Sequence, residues 1–428
     1  QRHGCAMSRV LDSIARHALT RPQATALRDR HAQLSYAELH LGVQRLAEEL
    51  RATGANTLAL LADNGLSWAL VDLAAMAAGL RLVPLPPFFS PQQMRHALRS
   101  AGVEALIVDP RFVLPDSLVP AGQTTALRAV PTPLNCVRLF PNAQASVHSG
   151  TQKITYTSGT TGQPKGVCLA LETMERVAQS LAAASEARVG DRHLSVLPLS
   201  TLLENIGGLY APLLVGATAC LWSLAEVGMG GATQVQPALM IQALAESGAS
   251  STILVPQLLQ ALVLSLESST VKLPALRFIA VGGATVTPRW ITRAQNLGLS
   301  VFEGYGLSEC ASVVALNTTS AQRPGSVGKP LPHVQIRFAD DGEILVHGDK
   351  YLGYVGEAST HAEEPLATGD IGHLDADGFL HLRGRKKSMF VTSFGRNVAP
   401  EWVERELCEE PAIAQAAVFG EARAWNAA

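Results

Sequence analysis

Between residues 57 and 109, short apolar runs alternate with helix-length segments, and that alternation restricts the chain to few folds. "TLALLAD" (57–63) has the length of a buried strand, "WALVDLAAMAAG" (68–79) that of a helix, and "RLVPLP" (81–86) that of another strand. The helix pattern "PQQMRHALRSAG" and the strand "EALIVD", ending at Asp109, repeat the alternation. Strand, helix and strand in succession predict a parallel sheet covered by helices. A second such unit follows in "ATACLW" (217–222), "ALMIQALAESGA", "STILVP" (251–256), "PQLLQALVLSLES", "LRFIAVGG" (276–283) and "RWITRAQNLG". From Pro330 the texture changes. "VQIRFADDGEILVHG" and "IGHLDADGFLHLRGR" fold back at Asp341-Gly342 and Asp377-Gly378, both hairpin signals, so a small antiparallel unit follows the sheets.

Composition agrees with a multi-unit globular protein. The 428 residues exceed what one hydrophobic core usually covers, and 47% hydrophobic against 16% charged residues excludes a disordered chain. Lys+Arg at 34 against Asp+Glu at 36 gives no field for nucleic acid, so any phosphate chemistry must be local. The six cysteines, Cys5, Cys136, Cys168, Cys220, Cys310 and Cys408, form no CxxC pair, which fits a reducing cytoplasm. The most apolar stretch, Leu66 to Phe89, is broken by Asp72 and Arg81 and falls short of a transmembrane segment. No signal peptide is recognisable in "QRHGCAM". A cytoplasmic location, or one peripheral to a membrane, is expected.

Local phosphate chemistry has an obvious seat in "YTSGTTGQPKGV" (156–167). Glycines let a backbone approach a ligand closely, hydroxyls and amide N–H groups donate to phosphate oxygens, and a lysine adds positive charge. Gly159, Gly162 and Lys165 stand three apart and Gly166 follows the lysine, which is not the Walker spacing. A Gly/Ser/Thr surface turn is the plain structural alternative. "GLSEC" (306–310) carries Ser308 but lacks the second glycine of a nucleophile elbow, and neither Gly-x-Gly-x-x-Gly after the first strand nor His-Glu-x-x-His occurs.

The loop resembles the signature of the adenylate-forming (AMP-binding) superfamily. Further motifs of that family stand in its order: "SYAEL" (35–39), "LPLSTLLENIGG" (197–208), "GYGLSE" (304–309), "GEILVHG" (342–348), "ATGDIG" (367–372) and "GRKKSMFVTSFGRNVAPEWVE" (384–404). The resemblance implies a large N-terminal domain over 8–383, made of two α/β parallel-sheet subdomains and a small β-barrel-like subdomain. A hinge at 384–388, with Lys387 at its pivot, and an incomplete α+β lid over 389–428 would follow.

It also implies roles. Thr157, Ser158, Gly159, Thr160, Thr161, Gly162 and Lys165 would hold the ATP phosphates, with Thr157 and Glu309 binding Mg2+ and Lys165, Glu309 and Thr157 serving catalysis. Gly282, Gly283, Ala284, Glu303, Gly304, Tyr305 and Gly306 would surround the adenine, Tyr305 as its aromatic platform. Asp370 would bind ribose and Arg385 ribose or phosphate; surface ion pairs are the alternative. The family's small domain carries a lysine near its end, whereas no lysine follows Lys387 here. The chain as it stands is therefore expected to bind ATP and to adenylate poorly.

Around the acid, Thr201, Leu202, Ile206, Leu209, Gly306 and Leu307 are the pocket candidates, and the apolar stretch suits an alkyl chain. Glu204 fits a helix-start carboxylate better than a ligand for a substrate ammonium. The chain looks most like bacterial long-chain fatty acyl-CoA synthetases: ATP would activate a medium- or long-chain fatty acid as its acyl-adenylate, and CoA would accept the acyl group. An aryl-acid CoA ligase, a fatty acyl-AMP ligase loading an acyl carrier protein, and a degenerate ATP-binding scaffold remain as alternatives.

Overall fold

In a computed structural model the described residues are 8–114, 124–139, 145–157, 163–230, 234–361, 363–394, 397–408, 410, 413, 416–423 and 425–428. Among them, layers of helix and sheet alternate. One sheet runs in the order Gly353–Tyr354, Lys165–Ala170, Thr151–Thr157, Arg81–Pro84, Thr57–Leu61, Ala105–Val108, Asn135–Arg138, Thr124–Ala126. Its central strands are parallel and its margins antiparallel. The second sheet runs Lys329–Pro330, Ala315–Leu316, Val301–Tyr305, Phe278–Val281, Ser251–Leu254, Arg192–Leu194, Thr218–Cys220, Thr25–Arg28, Gln33–Ser35, again parallel at its centre. The N-terminal strand Thr25–Arg28 thus crosses over to pair with Thr218–Cys220, a non-local union that residue patterning does not announce.

The helices Tyr36–Ala52, Leu66–Ala78 and Leu171–Ala184 form one apolar cluster with residues of both sheets, such as Leu58 and Leu60 on one side and Leu27 and Ala219 on the other. Leu66–Ala78 is buried all round from Leu66 to Met76, which explains an apolar composition broken only by Ser67 and Asp72. Pro91–Ser100 covers the outer face of the first sheet, and Pro237–Ser247, Pro256–Glu267 and Pro288–Asn296 cover that of the second. Ser35 with Glu38 and Ser90 with Gln93 close capping boxes that fix where two helices begin. The strands Val334–Phe338, Glu343–Gly348, Leu366–Leu374 and Leu380–Arg385 form an antiparallel sheet, and both Asp-Gly pairs sit at its turns. After it come the paired strands Phe390–Val391 and Asn397–Val398 and the helix Pro400–Leu407.

Candidate active site

Thr151–Thr157 and Lys165–Ala170 pair antiparallel, with Thr157 opposite Lys165, so the signature loop connects two strands of a hairpin and not a strand to a helix. Ser158, Gly159, Thr160, Thr161 and Gly162 lie outside the described residues. Gly166 belongs to the close packing of this hairpin: a Cβ there would stand 2.8 Å from Val355 and 2.9 Å from the Tyr156 ring. Lys165 leaves the sheet edge half-exposed, its ammonium 2.9 Å from Glu357 and 4.6 Å from the centre of the Tyr354 ring. Tyr354 arrives there because Gly353–Tyr354 adds to the sheet beside Val167. Its hydroxyl donates to Glu309 Oε1 at 2.6 Å. Burial, then the neighbouring Glu309, pushes the Tyr354 phenol well above its ordinary range. Lys165 and Glu309 are therefore joined through Tyr354. Neither Tyr354 nor Glu357 stood out in the sequence, since their place beside Lys165 depends on a pairing between strands almost two hundred residues apart.

The strands Phe278–Val281 and Val301–Tyr305 end side by side, where open α/β sheets bind ligands. Gly282, Gly283 and Ala284 leave the first and Gly304, Tyr305 and Gly306 the second. Gly283 adopts a φ of +86°, which favours glycine, and a Cβ on Gly306 would meet the Ser312 carbonyl oxygen at 1.6 Å. Glu303 differs from the expectation of an adenine neighbour. Its side chain is 2% exposed and accepts from Val286 N at 2.9 Å, so it braces the loop after Gly283 from beneath.

Tyr305 donates from its hydroxyl to Asp370 Oδ2 at 2.6 Å, and Arg385 Nε stands 2.9 Å from Asp370 Oδ1. Three sequence candidates thus meet at one carboxylate. Burial raises the Asp370 carboxyl, while Tyr305 and Arg385 act to lower it. Each oxygen keeps acceptor capacity after these two bonds, enough for a pair of hydroxyls. Arg385 also donates from its backbone N–H to Glu401 at 3.2 Å, linking the site to the C-terminal helix. Lys387 is exposed.

From Gly282, Gly283, Gly304, Tyr305 and Gly306 a cavity of about 270 Å³ runs inward between the second sheet and the segment 201–212. Thr201, Leu202, Gly306 and Leu307 line it as expected. Ile206 and Leu209 do not. Both are fully buried in the core cluster, because the wall is formed by Leu203, Gly207 and Ala211, four apart on one side of the segment, while Ile206 and Leu209 face away. This segment is a π-helix over Asn205–Tyr210, a form common at functional sites. Glu204 stands in the first turn of the short helix Leu202–Glu204, as expected, and it is also fully buried, 3.0 Å from His193 Nε2.

The fold and the cleft define an adenylate-forming enzyme. The model of the AMP-binding enzyme family matches residues 14–357, and the chain belongs to that family. An indoleacetate–CoA ligase of Aromatoleum aromaticum is 30% identical over 95% of this chain and 84% of its own length. A feruloyl-CoA synthase of Amycolatopsis is 29% identical over 95% and 84%, and a long-chain-fatty-acid–CoA ligase of Mycobacterium bovis 29% over 83% and 69%. The crystal structure of the anthranilate CoA ligase AuaEII in complex with anthranoyl-AMP matches the fold with a TM-score of 0.81 at 21% identity, covering 97% of this chain and 84% of that one. The chain is accordingly an ATP-dependent, AMP-forming acid–CoA ligase, with ATP, Mg2+ and CoA as the small molecules of the reaction. Among the described residues no helix is long and apolar enough to cross a membrane.

Proposed function

We propose that the acid is an aryl or arylalkyl carboxylate. The observation that carries this is the cavity wall: Phe278, stacked on Phe302 with centroids 4.4 Å apart, lies along a compact space that Gly207, Ala211 and Ala280 also line, beside branched residues such as Leu203 and Ile253. A flat aromatic face beside residues with little side chain accommodates a planar ring. Two of the three relatives named above are ligases of aryl acids, and the fatty-acid relative keeps a long-chain acid as the second reading. An amino acid has less support, because Glu204 is already engaged by His193. The relatives are CoA ligases, which leaves an acyl carrier protein as acceptor without support.

In the first step a carboxylate oxygen bonds to the α-phosphorus of ATP and the bond to the bridging oxygen breaks, releasing pyrophosphate. In the second, the sulfur of CoA attacks the acyl carbonyl, losing its proton, and AMP leaves. Tyr305 would lie under adenine, Asp370 would take the ribose hydroxyls, and Lys165 would exchange Glu357 for the terminal phosphates. One carboxylate and one hydroxyl, Glu309 and Thr157, suit a cation that is otherwise held by substrate phosphates and water, and there magnesium would neutralise phosphate charge. Residues 8–383 would act as the body, and 384–388 as the hinge of the segment that follows. ATP–pyrophosphate exchange with arylacetates, hydroxycinnamates, graded fatty acids and amino acids, measured on the chain extended by the C-terminal segment of a related CoA ligase, tests the reading. Strongest exchange with an aryl acid is expected. Exchange with fatty acids alone moves the assignment to that branch, and ATP binding without exchange with any acid favours a scaffold.

A further inference from the structure

At its inner end the acid cavity reaches a polar group that the apolar stretch around it does not foreshadow. His193 and Ser251 both line it. The His193 ring is almost wholly buried, with Nδ1 3.0 Å from Ser251 Oγ and Nε2 3.0 Å from Glu204 Oε1. The chain makes room for this relay at Gly208, where a Cβ would stand 2.1 Å from Glu204 Oε1 and 3.0 Å from His193 Nε2. Among the described residues the buried Glu204 Oε2 and Ser195 Oγ have no hydrogen-bond partner, so the group holds more polar capacity than it uses internally. In a compact apolar cavity such a group is costly unless a ligand or water meets it.

Its depth can be read from the strand register. Ser251 is opposite both His193 and Phe278, and Phe278 lies four positions before Gly282. At a rise of about 3.3 Å per residue, the row sits ~13 Å from the end where the carboxylate is activated. Ser251 thus meets the far end of the acid and stands clear of the reacting carbonyl. A carboxylate only accepts, so a neutral His193 donates from Nε2 to Glu204 and accepts from the Ser251 hydroxyl at Nδ1, leaving the serine oxygen as acceptor for a ligand. A protonated His193 donates to Ser251 instead and frees the serine proton for the ligand. A hydroxyl on the ligand satisfies either arrangement.

We propose, on the basis of the ligase reading above, that this enzyme selects acids bearing a hydroxyl at the end remote from the carboxylate, with Ser251 as the direct contact and His193 and Glu204 as positioning residues. Acyl-sulfamoyl adenosines, stable stand-ins for the acyl-adenylate, allow a test by calorimetry on the full chain without turnover. Pairs of aryl and straight-chain acyl groups of graded length, with and without a terminal hydroxyl, should show a preference of roughly tenfold for the hydroxylated member at the length that reaches the row. Ser251→Ala and His193→Leu should bring that ratio towards one, and Ser251→Thr, which keeps the hydroxyl, should retain it. Pairs that bind without preference at every length, or a ratio untouched by Ser251→Ala, would overturn the inference while the ligase reading stands. Failure of every analogue to bind would remove the ligase reading and the inference with it.

Discussion

Glu309 and Tyr305 are the residues at which local chemistry can be tested most directly. Glu309 shares its carboxylate with the Tyr354 hydroxyl, and a carboxamide would keep a hydrogen bond but not the charge. Glu309→Gln should lower adenylation by roughly 10²- to 10³-fold, the usual cost of one oriented electrostatic contact in a transition state. Pyrophosphate release across a magnesium titration measures it, and an unchanged rate refutes the magnesium role. Tyr305→Phe keeps the ring and removes the donor to Asp370. The bond involves a charged acceptor, so its loss should cost about 1.5 to 3 kcal/mol, visible in thermal unfolding and in weaker AMP binding. The aromatic and the aspartate were each recognisable in their motifs; that one holds the other was not, because they lie 65 positions apart.

Among the elements, the helix Leu66–Ala78 and the strand Thr151–Thr157 are tied by a buried polar knot. The Lys153 ammonium contacts Asp72, Asn205 and the Tyr210 hydroxyl, and Tyr210 donates to Asp72 at 2.6 Å. Burial pulls the Lys153 ammonium below its ordinary value, against the raising influence of Asp72. In the sequence, Asp72 served only to interrupt an apolar stretch. Here it joins the strand that leads into the signature loop to the π-helix that walls the cavity. Lys153→Met leaves the Asp72 charge buried without its partner and should destabilise the fold by about 3 to 5 kcal/mol. Adding Asp72→Leu should recover most of that loss in urea unfolding, since an apolar pair replaces a desolvated one. A double variant as unstable as the single would show that Asn205 and Tyr210 depend on the pair for their own positions.

For the molecule as a whole, acid stability and proteolysis give the tests. Burial lowers the His333 imidazole below its ordinary 6.5. Its ring bridges Ser180 Oγ at Nδ1 and the Val313 carbonyl at Nε2, both 2.9 Å, tying the central helix layer to the loop after Glu309. His17 is also lowered, chiefly by burial. Because the folded values lie below the unfolded one, the unfolded chain takes up protons first as pH falls. The stabilisation is full above about pH 6.5 and is lost as pH drops through the folded values. Melting temperatures followed from about pH 7.5 to 5 should decline, and His333→Gln should flatten part of the decline. A parallel decline in the variant would assign the effect elsewhere. The proposed hinge predicts that trypsin cuts first at the exposed Lys387, since Arg385 and Lys386 are held by Asp370, Asp341 and Glu343. Early cuts within 8–383 would dispose of that boundary.

The sequence by itself determined what depends on short-range pattern. Apolar runs bounded by turn residues set the strands and helices, Asp-Gly placed the hairpins at 341–342 and 377–378, and glycine, hydroxyl and lysine spacing singled out the loop proposed to hold phosphate. Tertiary structure decided everything that rests on distant pairing. It brought Thr25–Arg28 to the second sheet, set Tyr354 between Lys165 and Glu309, turned Ile206 and Leu209 into the core, and buried Glu204 against His193. The physical reason is common to these cases. Side-chain period fixes which residues share a face within an element, whereas the neighbour that face meets is set by the register and packing of elements far apart in the chain.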